Sequence, residues 1–364
     1  MRQLKILLLE PYCGGSHKAW AEGYVEHSRH DVTLLGLDAR FWKWRMQGGS
    51  FTLAEMARGL SPDVILASDM LNLPAFLALA RDSLSDVPVA VYCHENQLTY
   101  PLPPGEKRDL TYGMINWLSM LAADRVFFNS QYHLEDWFGA LPNMLKHFPD
   151  YSHRHRIEGV LAKSLVLPVG CHLARLDGIP ENRSDDTPLI LWNQRWEYDK
   201  DPETFFLALY ALQGEGVDFR VAVAGKSHRQ TAPEFQEARD RLGDRVVHFG
   251  FADGDEYVRL LKRADIVVST AVHEFFGVAV VEAIYAGGFP VLPNRLSYPE
   301  LIPDQYHQQC LYQGFRELVT CLRWALDYPE EARAAAHELR VAFQAFDWGT
   351  LAEQYDGEME ILCQ

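Results

Sequence analysis

The sequence predicts an α/β protein of two doubly wound domains that face each other across a cleft, with a helical C-terminus. Three observations predict it. Short β-branched apolar runs alternate with helical patterns through the first half. A polar stretch bearing Gly and Pro, Asp177 to Asp186, then breaks the pattern. The same alternation restarts at Leu189 and ends in three helical segments after Phe315. Strands of a parallel sheet read as apolar runs because both sheet faces are covered, and helices between them supply the cover. The 364 residues suit two domains of ordinary size. The expected division is 1–176 and 187–346, with 347–364 a last helix able to pack back on the first domain.

In chain order, strands are expected at 5–10, 31–37, 63–68, 88–94, 125–130 and 164–169. Helical patterns at 73–82 and 110–123 lie between them. The stretch 138–157 is rich in His, Phe, Pro and Arg and reads as less regular. After the linker, strands are expected at 189–193, 219–224, 246–249, 265–270 and 290–293. Helices are expected at 202–213, 233–242, 255–263, 278–286, 315–327, 329–346 and 348–362.

Composition excludes several classes. With 48% hydrophobic and 23% charged residues the chain is globular and neither disordered nor fibrous. No apolar run approaches the ~18 residues of a membrane span. Glu10 cuts short the apolar start, which reads as a first strand and not as a signal peptide. Cys13, Cys93, Cys171, Cys310, Cys321 and Cys363 form no C-x-x-C pair, which points away from zinc and toward a reducing cytoplasm. A formal net charge of −16 disfavours a protein that coats nucleic acid. It leaves room for local basic patches at Arg40/Lys43/Arg45, at Lys146 through Arg156 and at Lys226/His228/Arg229.

The most informative stretch is His273-Glu274-Phe275-Phe276-Gly277, which follows the strand ending near Thr270. Gly277 opens an apolar helix, and Glu282 lies two helical turns beyond Glu274. The free N–H groups of that helix start suit a diphosphate, and a carboxylate on each side suits hydroxyls. A nucleotide-sugar carries both. Arg195 and Lys200, after the first strand of the second domain, are placed to clamp phosphates. Gly225 and Gly250-Phe251 follow two further strands there.

In the first domain, Gly14-Gly15-Ser16-His17 follows the first strand. The glycines let backbone approach a ligand or form a plain tight turn, and Ser16 can cap the next helix. The G-x-G-x-x-G spacing of nicotinamide proteins is absent. His94-Glu95-Asn96-Gln97 ends the fourth strand, where ligands of parallel sheets bind. No second His follows at zinc-protease spacing. Asn129-Ser130 closes the next strand and faces the same way.

Glu274-x7-Glu282, Arg195-x4-Lys200, Gly225 and Gly250 occur in the order found in retaining glycosyltransferases of family 4, and the second half resembles theirs. Their fold is GT-B, two Rossmann-like domains. Asn193 and Gln194 replace the small residue and Gly that usually precede the Arg. Residues 10–17, Phe41-Trp42-Lys43-Trp44-Arg45-Met46 and His94 through Pro101 resemble the tRNA-queuosine alpha-mannosyltransferase family. That resemblance implies transfer of mannose from GDP-mannose to queuosine in the anticodon of tRNA-Asp, with retention, without a metal and without a cofactor beyond the donor. It implies catalytic roles for His94, Glu274, Arg195 and Lys200. It places the donor on Gly14, Gly15, Arg195, Lys200, Gly225, Gly250, Phe251, Glu274, Phe275, Phe276, Gly277 and Glu282, with Glu282 on the ribose and Glu274 on mannose hydroxyls. It places the acceptor tRNA near His17, Lys43, Arg45, Glu95, Asn96, Gln97, Asn129 and Ser130. Trp and Arg can stack on unpaired anticodon-loop bases. The alternatives are a family-4 enzyme with another sugar nucleotide and a small-molecule, lipid or glycan acceptor, and a non-catalytic nucleotide-sugar or RNA-binding protein.

Overall fold

The structure is a computed structural model and describes residues 2–102, 105, 107–180, 187–226 and 233–364. Residues 181–186 of the expected linker, and Ser227, His228 and Arg229, lie outside the described residues. Two compact units form: residues 1–172 with 348–364, and residues 173–347.

Unit 1 contains β1 (Lys5–Cys13), α1 (Gly15–His27), β2 (Asp31–Asp38), α2 (Trp42–Met56), β3 (Val64–Ser68), α3 (Leu73–Leu79) and α4 (Arg81–Leu84). It continues with β4 (Val89–Cys93), α5 (Leu110–Ala122), β5 (Arg125–Phe128), α6 (Gln131–Leu145), α7 (Ile157–Leu161) and β6 (Ser164–Val166). The strands make one parallel sheet in the order β2-β1-β3-β4-β5-β6. Every residue of β3 and β4 is buried, which is why they read as uninterrupted apolar runs. The chain leaves β1 toward β2 on one side and later returns to β3 on the other. The gap between the ends of β1 and β3 is therefore a topological switch point, where open α/β sheets bind ligands.

Unit 2 contains β7 (Leu189–Trp192), α8 (Pro202–Gly214), β8 (Arg220–Ala224), α9 (Pro233–Leu242), β9 (Val246–Gly250), α10 (Gly254–Arg263), β10 (Ile266–Val268) and α11 (Val278–Tyr285). Then come β11 (Phe289–Pro293), α12 (Tyr298–Leu301), α13 (His307–Cys310), β12 (Leu311–Tyr312), α14 (Phe315–Asp327) and α15 (Pro329–Phe343). Its sheet runs β12-β11-β10-β7-β8-β9, and the switch point falls between β7 and β10.

The last helix, α16 (Trp348–Leu362), belongs to unit 1. A Cβ on Gly23 would come within 2.0 Å of the Trp348 ring, and one on Gly170 within 2.3 Å, so both positions require glycine for the indole to fit. Around it the Trp20 indole N–H donates to the Tyr355 hydroxyl at 3.1 Å, and the Tyr24 hydroxyl donates to Asp356 at 3.0 Å. Buried aromatics with their polar ends bonded pack tightly and favour one seating.

Some local expectations change. The first part of 138–157 is regular: α6 runs to Leu145 with Pro142 inside it. Helix α1 begins after Gly14 with no side-chain cap, so Ser16 lies within the first turn and does not cap it. β12 is two residues long, too short to show a period in the sequence. No helix among the described residues is long and apolar enough to cross a membrane.

Candidate active site

In unit 2, β7 and β10 deliver their loops to the two sides of the switch point. Asp199 and Lys200 end a single 3-10 turn after β7, and both are buried. The Lys200 ammonium donates to the His273 carbonyl at 2.8 Å and to Glu274 at 3.1 Å, and pairs with Asp199 at 3.3 Å. Arg195, half exposed, reaches Asp199 at 3.4 Å. Burial pushes the Glu274 carboxyl up, but the Lys200 charge, aided by hydrogen bonds, holds it below its ordinary value. Burial and then the Lys200 charge push His273 down to about 4, so its ring is neutral at pH 7. The result is an ionised carboxylate fixed beside a cation, one turn before a helix.

That helix is α11. Gly277 sits before it at φ +93°, a conformation side chains rarely adopt, and a Cβ there would lie 3.2 Å from the Tyr298 ring. The Glu274 carboxylate already accepts from the Phe275 N–H at 3.1 Å. Phe275 and Phe276 are buried and fix the loop by packing. Glu282, inside α11, accepts from the Tyr257 hydroxyl at 3.0 Å and pairs with Arg175 at 2.5 Å. Burial raises its carboxyl, only partly offset by Arg175 and Tyr257. Asn193 holds Tyr257 at 3.0 Å and the Ala279 carbonyl at 2.7 Å.

Gly225 and Gly250 join the ends of β8 and β9: the Gly225 N–H donates to the Gly250 carbonyl at 2.8 Å. A Cβ on Gly225 would stand 2.0 Å from the Gln194 carbonyl oxygen, so the backbones approach too closely for any side chain. Gln194 itself is buried. The Phe251 ring is exposed, with the Lys226 ammonium 4.6 Å from its centroid. A flat exposed ring beside a cation can stack on a base.

Unit 1 gathers a second polar cluster, at the ends of β1, β3 and β4. Glu10 is fully buried and pairs with His17 at 3.0 Å. The His17 ring lies 4.1 Å, centroid to centroid, from that of His94. Burial alone would lower His17, but the Glu10 carboxylate raises it to about 9. Burial, then the charges of His17 and His133, push His94 well below its ordinary value, so it is neutral. Its buried Nε2 makes no hydrogen bond among the described residues. A buried polar atom without a hydrogen bond is costly, and this one lies 4.0 Å from the Glu10 carboxylate. Asp69, after β3, is pushed up by burial to about 7, with His17 and the Glu95 N–H pulling back.

Glu10, His17 and His94 offer ligand atoms all within 4.8 Å of one another, a spacing that could hold a cation. A metal there would have to displace the proton that His17 shares with Glu10.

Gly14 is extended and packs against Ala39, whereas Gly15 takes φ +54°. Asn96, Asn129 and Ser130 are each bonded within the fold. Asn96 is fully enclosed, donating to Asp136 at 2.7 Å and accepting from the Leu98 N–H at 2.8 Å. Asn129 donates to the His94 carbonyl at 3.0 Å and meets His133 at 2.9 Å, and the Ser130 hydroxyl accepts from the His133 N–H. Asn129 braces the loop that carries His94, Asn96 ties that loop to Asp136 of α6, and Ser130 caps α6. Glu95 and Gln97 remain partly exposed. Lys43 is exposed and spans Trp42 and Tyr112, 5.6 and 5.7 Å from the ring centroids. Arg45 donates to the Asp38 carbonyl at 3.0 Å. Trp42 packs on Tyr112, while Trp44 is 60% exposed and open to stacking.

Glu10, Asp69, Asp199, Tyr257 and Arg175 were not singled out as site residues. Asp69 had a visible signal, a carboxylate directly after a buried strand, the same rule that drew attention to His94. Tyr257 and Arg175 had none.

Comparison with known proteins is consistent with this geometry. Residues 179–338 match the model described as glycosyl transferases group 1. The solved sucrose-phosphate synthase of Thermosynechococcus elongatus superposes with a TM-score of 0.74 at 16% identity, covering 99% of each chain. Anabaena HepE in complex with UDP and glucose superposes with a TM-score of 0.69 at 16% identity, covering 98% of this chain and 100% of that one. Two doubly wound parallel domains of this kind, with a group 1 transferase match, make the chain a GT-B glycosyltransferase. Residues 5–171 match the model of the tRNA-queuosine alpha-mannosyltransferase N-terminal domain. The Drosophila melanogaster tRNA-queuosine alpha-mannosyltransferase is 36% identical over 310 residues, 82% of each chain. The chain belongs to the tRNA-queuosine alpha-mannosyltransferase family.

Proposed function

We propose that the protein is a cytoplasmic enzyme that moves mannose from GDP-mannose to queuosine in the anticodon of tRNA-Asp, with retention and without a metal. The observation that carries the donor half is the Lys200–Glu274 pair at the switch point of unit 2, 3.1 Å apart and directly before the start of α11. Family membership supports the acceptor half, because a fold alone names no substrate.

Arg195, Lys200 and the free N–H groups of α11 would stabilise the leaving diphosphate, the charge that grows in the transition state. Glu274, held ionised, accepts hydrogen bonds from mannose hydroxyls. Glu282, steadied by Arg175 and Tyr257, accepts from the ribose. Gly225, Gly250 and the Phe251 ring take the base. Unit 1 presents neutral His94, whose Nε2 bonds a sugar or acceptor hydroxyl. The bond from the mannose anomeric carbon to the diphosphate oxygen breaks, and one to the queuosine hydroxyl oxygen forms on the same face. A phosphate oxygen of the departing GDP takes the hydroxyl proton, so neither carboxylate acts as nucleophile.

The test is transfer of radiolabel from GDP-mannose to queuosine-containing tRNA, with queuosine-free tRNA as control and EDTA added in parallel. Label on the modified tRNA alone, undiminished by EDTA, is expected. No label on either tRNA would overturn the donor–acceptor assignment.

A further inference from the structure

From Lys146 to Arg156 the chain presents an exposed basic and aromatic run: every residue is exposed except Ser152, which is partly so. It holds Lys146, Arg154 and Arg156, three histidines, Phe148 and Tyr151, against a single acid, Asp150. On a chain of net charge −16 such a local excess is out of character. Among the described residues none of Lys146, Arg154 and Arg156 makes an ion pair, whereas Arg29 and Arg323 on the same protein are tied to acids. Tyr151 and His153 both adopt left-handed backbone, at φ +41° and +52°, and Tyr151 is 82% exposed. Left-handed backbone is unfavourable for such side chains, yet no core contact rewards it here. The Tyr151 and His153 rings lie near-parallel 6.4 Å apart, and His153 faces His155 at 5.9 Å.

We propose that this run is an RNA-contact surface, distinct from the region of His94, that grips the phosphate backbone of the acceptor tRNA. The inference rests on the tRNA reading given above. Unpaired cations on an acidic body are complementary to a polyanion, and exposed cations interleaved with exposed rings suit RNA better than a folded acidic protein, which would ask for a flatter, more apolar face. Position in the fold decides which part of the RNA is held. Helix α6 starts at Gln131, two residues after Asn129, whose amide bonds the His94 carbonyl, and ends at Leu145, directly before the run. Fifteen helical residues span about 22 Å. The run therefore lies too far along the helix for a base presented at His94, and reaches a different stretch of the same RNA. Backbone contacts there carry no sequence information, so they set affinity and leave the choice of queuosine to the residues near His94.

The experiment compares the full-length protein with the variant Lys146→Ala/Arg154→Ala/Arg156→Ala. Binding of bulk tRNA is measured without any sugar nucleotide at several salt concentrations, and transfer is measured on an anticodon stem-loop. Loss of three phosphate contacts is expected to weaken tRNA binding about tenfold or more near 0.15 M salt. The slope of log affinity against log salt is expected to fall by about 2 to 3. Queuosine-containing and queuosine-free tRNA should be affected alike. Arg154→Lys/Arg156→Lys should retain binding, and both variants should keep the wild-type unfolding midpoint. Unchanged affinity and slope in the triple variant would overturn the proposal. So would a loss confined to queuosine-containing tRNA. A failure of the tRNA reading itself would look different: wild-type protein would show no salt-dependent tRNA binding and no transfer to the stem-loop.

Discussion

Lys200 is 5% exposed, yet its ammonium meets a carbonyl and two carboxylates. A buried cation of this kind is stabilised only while its partners stay ionised, so it and Glu274 act as a unit. Glu274→Gln keeps shape and removes charge. It should lower kcat for sugar transfer by about 10²-fold or more and also lower the unfolding midpoint, because Lys200 then keeps only Asp199 as a counter-charge. Turnover at the wild-type rate would remove Glu274 from the site. Lys200→Ala should abolish transfer and also destabilise, because Asp199 and Glu274 are left facing each other. At His17 the relevant quantity is pH. Its folded pKa, about 9, exceeds the ordinary 6.5, so the folded state holds the proton more tightly. That stabilisation is fully present below about 6.5 and is lost as pH rises through 9, on the order of 3 kcal/mol. Asp69 acts in the same direction lower down: raised to about 7, it favours the folded state at low pH and loses that contribution as pH climbs to 7. Denaturant midpoints should therefore fall between pH 6.5 and 9 in the wild type, and His17→Gln should flatten that limb. An equally steep limb in the variant would mean another group titrates.

At the scale of elements, two glycines govern loops of unit 2. Gly277 takes a left-handed conformation before α11, and Gly225 lets β8 pass the Gln194 carbonyl. Gly277→Ala should cost about 1–2 kcal/mol in unfolding experiments, from backbone strain and pressure on Tyr298. It should also weaken nucleotide binding, since the helix start is displaced. Gly225→Ala should be worse, because its obstacle is backbone, which cannot rotate away. A Gly225→Ala protein of normal midpoint and normal nucleotide affinity would contradict this geometry. The turn at Gly277 was legible in sequence because glycine after Glu-Phe-Phe and before an apolar helix has few other uses. The engagement of Asn96 and Asn129 was not, since the same polar side chains serve equally to bind a ligand or to brace a loop.

At the scale of the whole molecule, the chain crosses from unit 1 to unit 2 and returns, and α16 completes the unit it began. Trp348 is fully buried against Gly23 and Gly170. Trp348→Ala should destabilise unit 1 by about 3–5 kcal/mol, seen as an early unfolding transition in calorimetry with the second transition unmoved. A single transition at the wild-type temperature would show that the helix is dispensable. Only the three-dimensional structure displays this dependence, because residues 23, 170 and 348 share no local pattern.

By itself the sequence determined that two doubly wound units form, where most of their strands run, and that Glu274 and Gly277 stand in the loop that opens an apolar helix. These follow from periodicity, turn chemistry and spacing, which act within a few turns of chain. The tertiary structure decided the cluster of Glu10, His17, Asp69 and His94, the grip of Arg175 and Tyr257 on Glu282, and the seating of Trp348 against Gly23 and Gly170. Each depends on which strands lie side by side and which helix covers them, and long-range packing settles that order where local preference is silent.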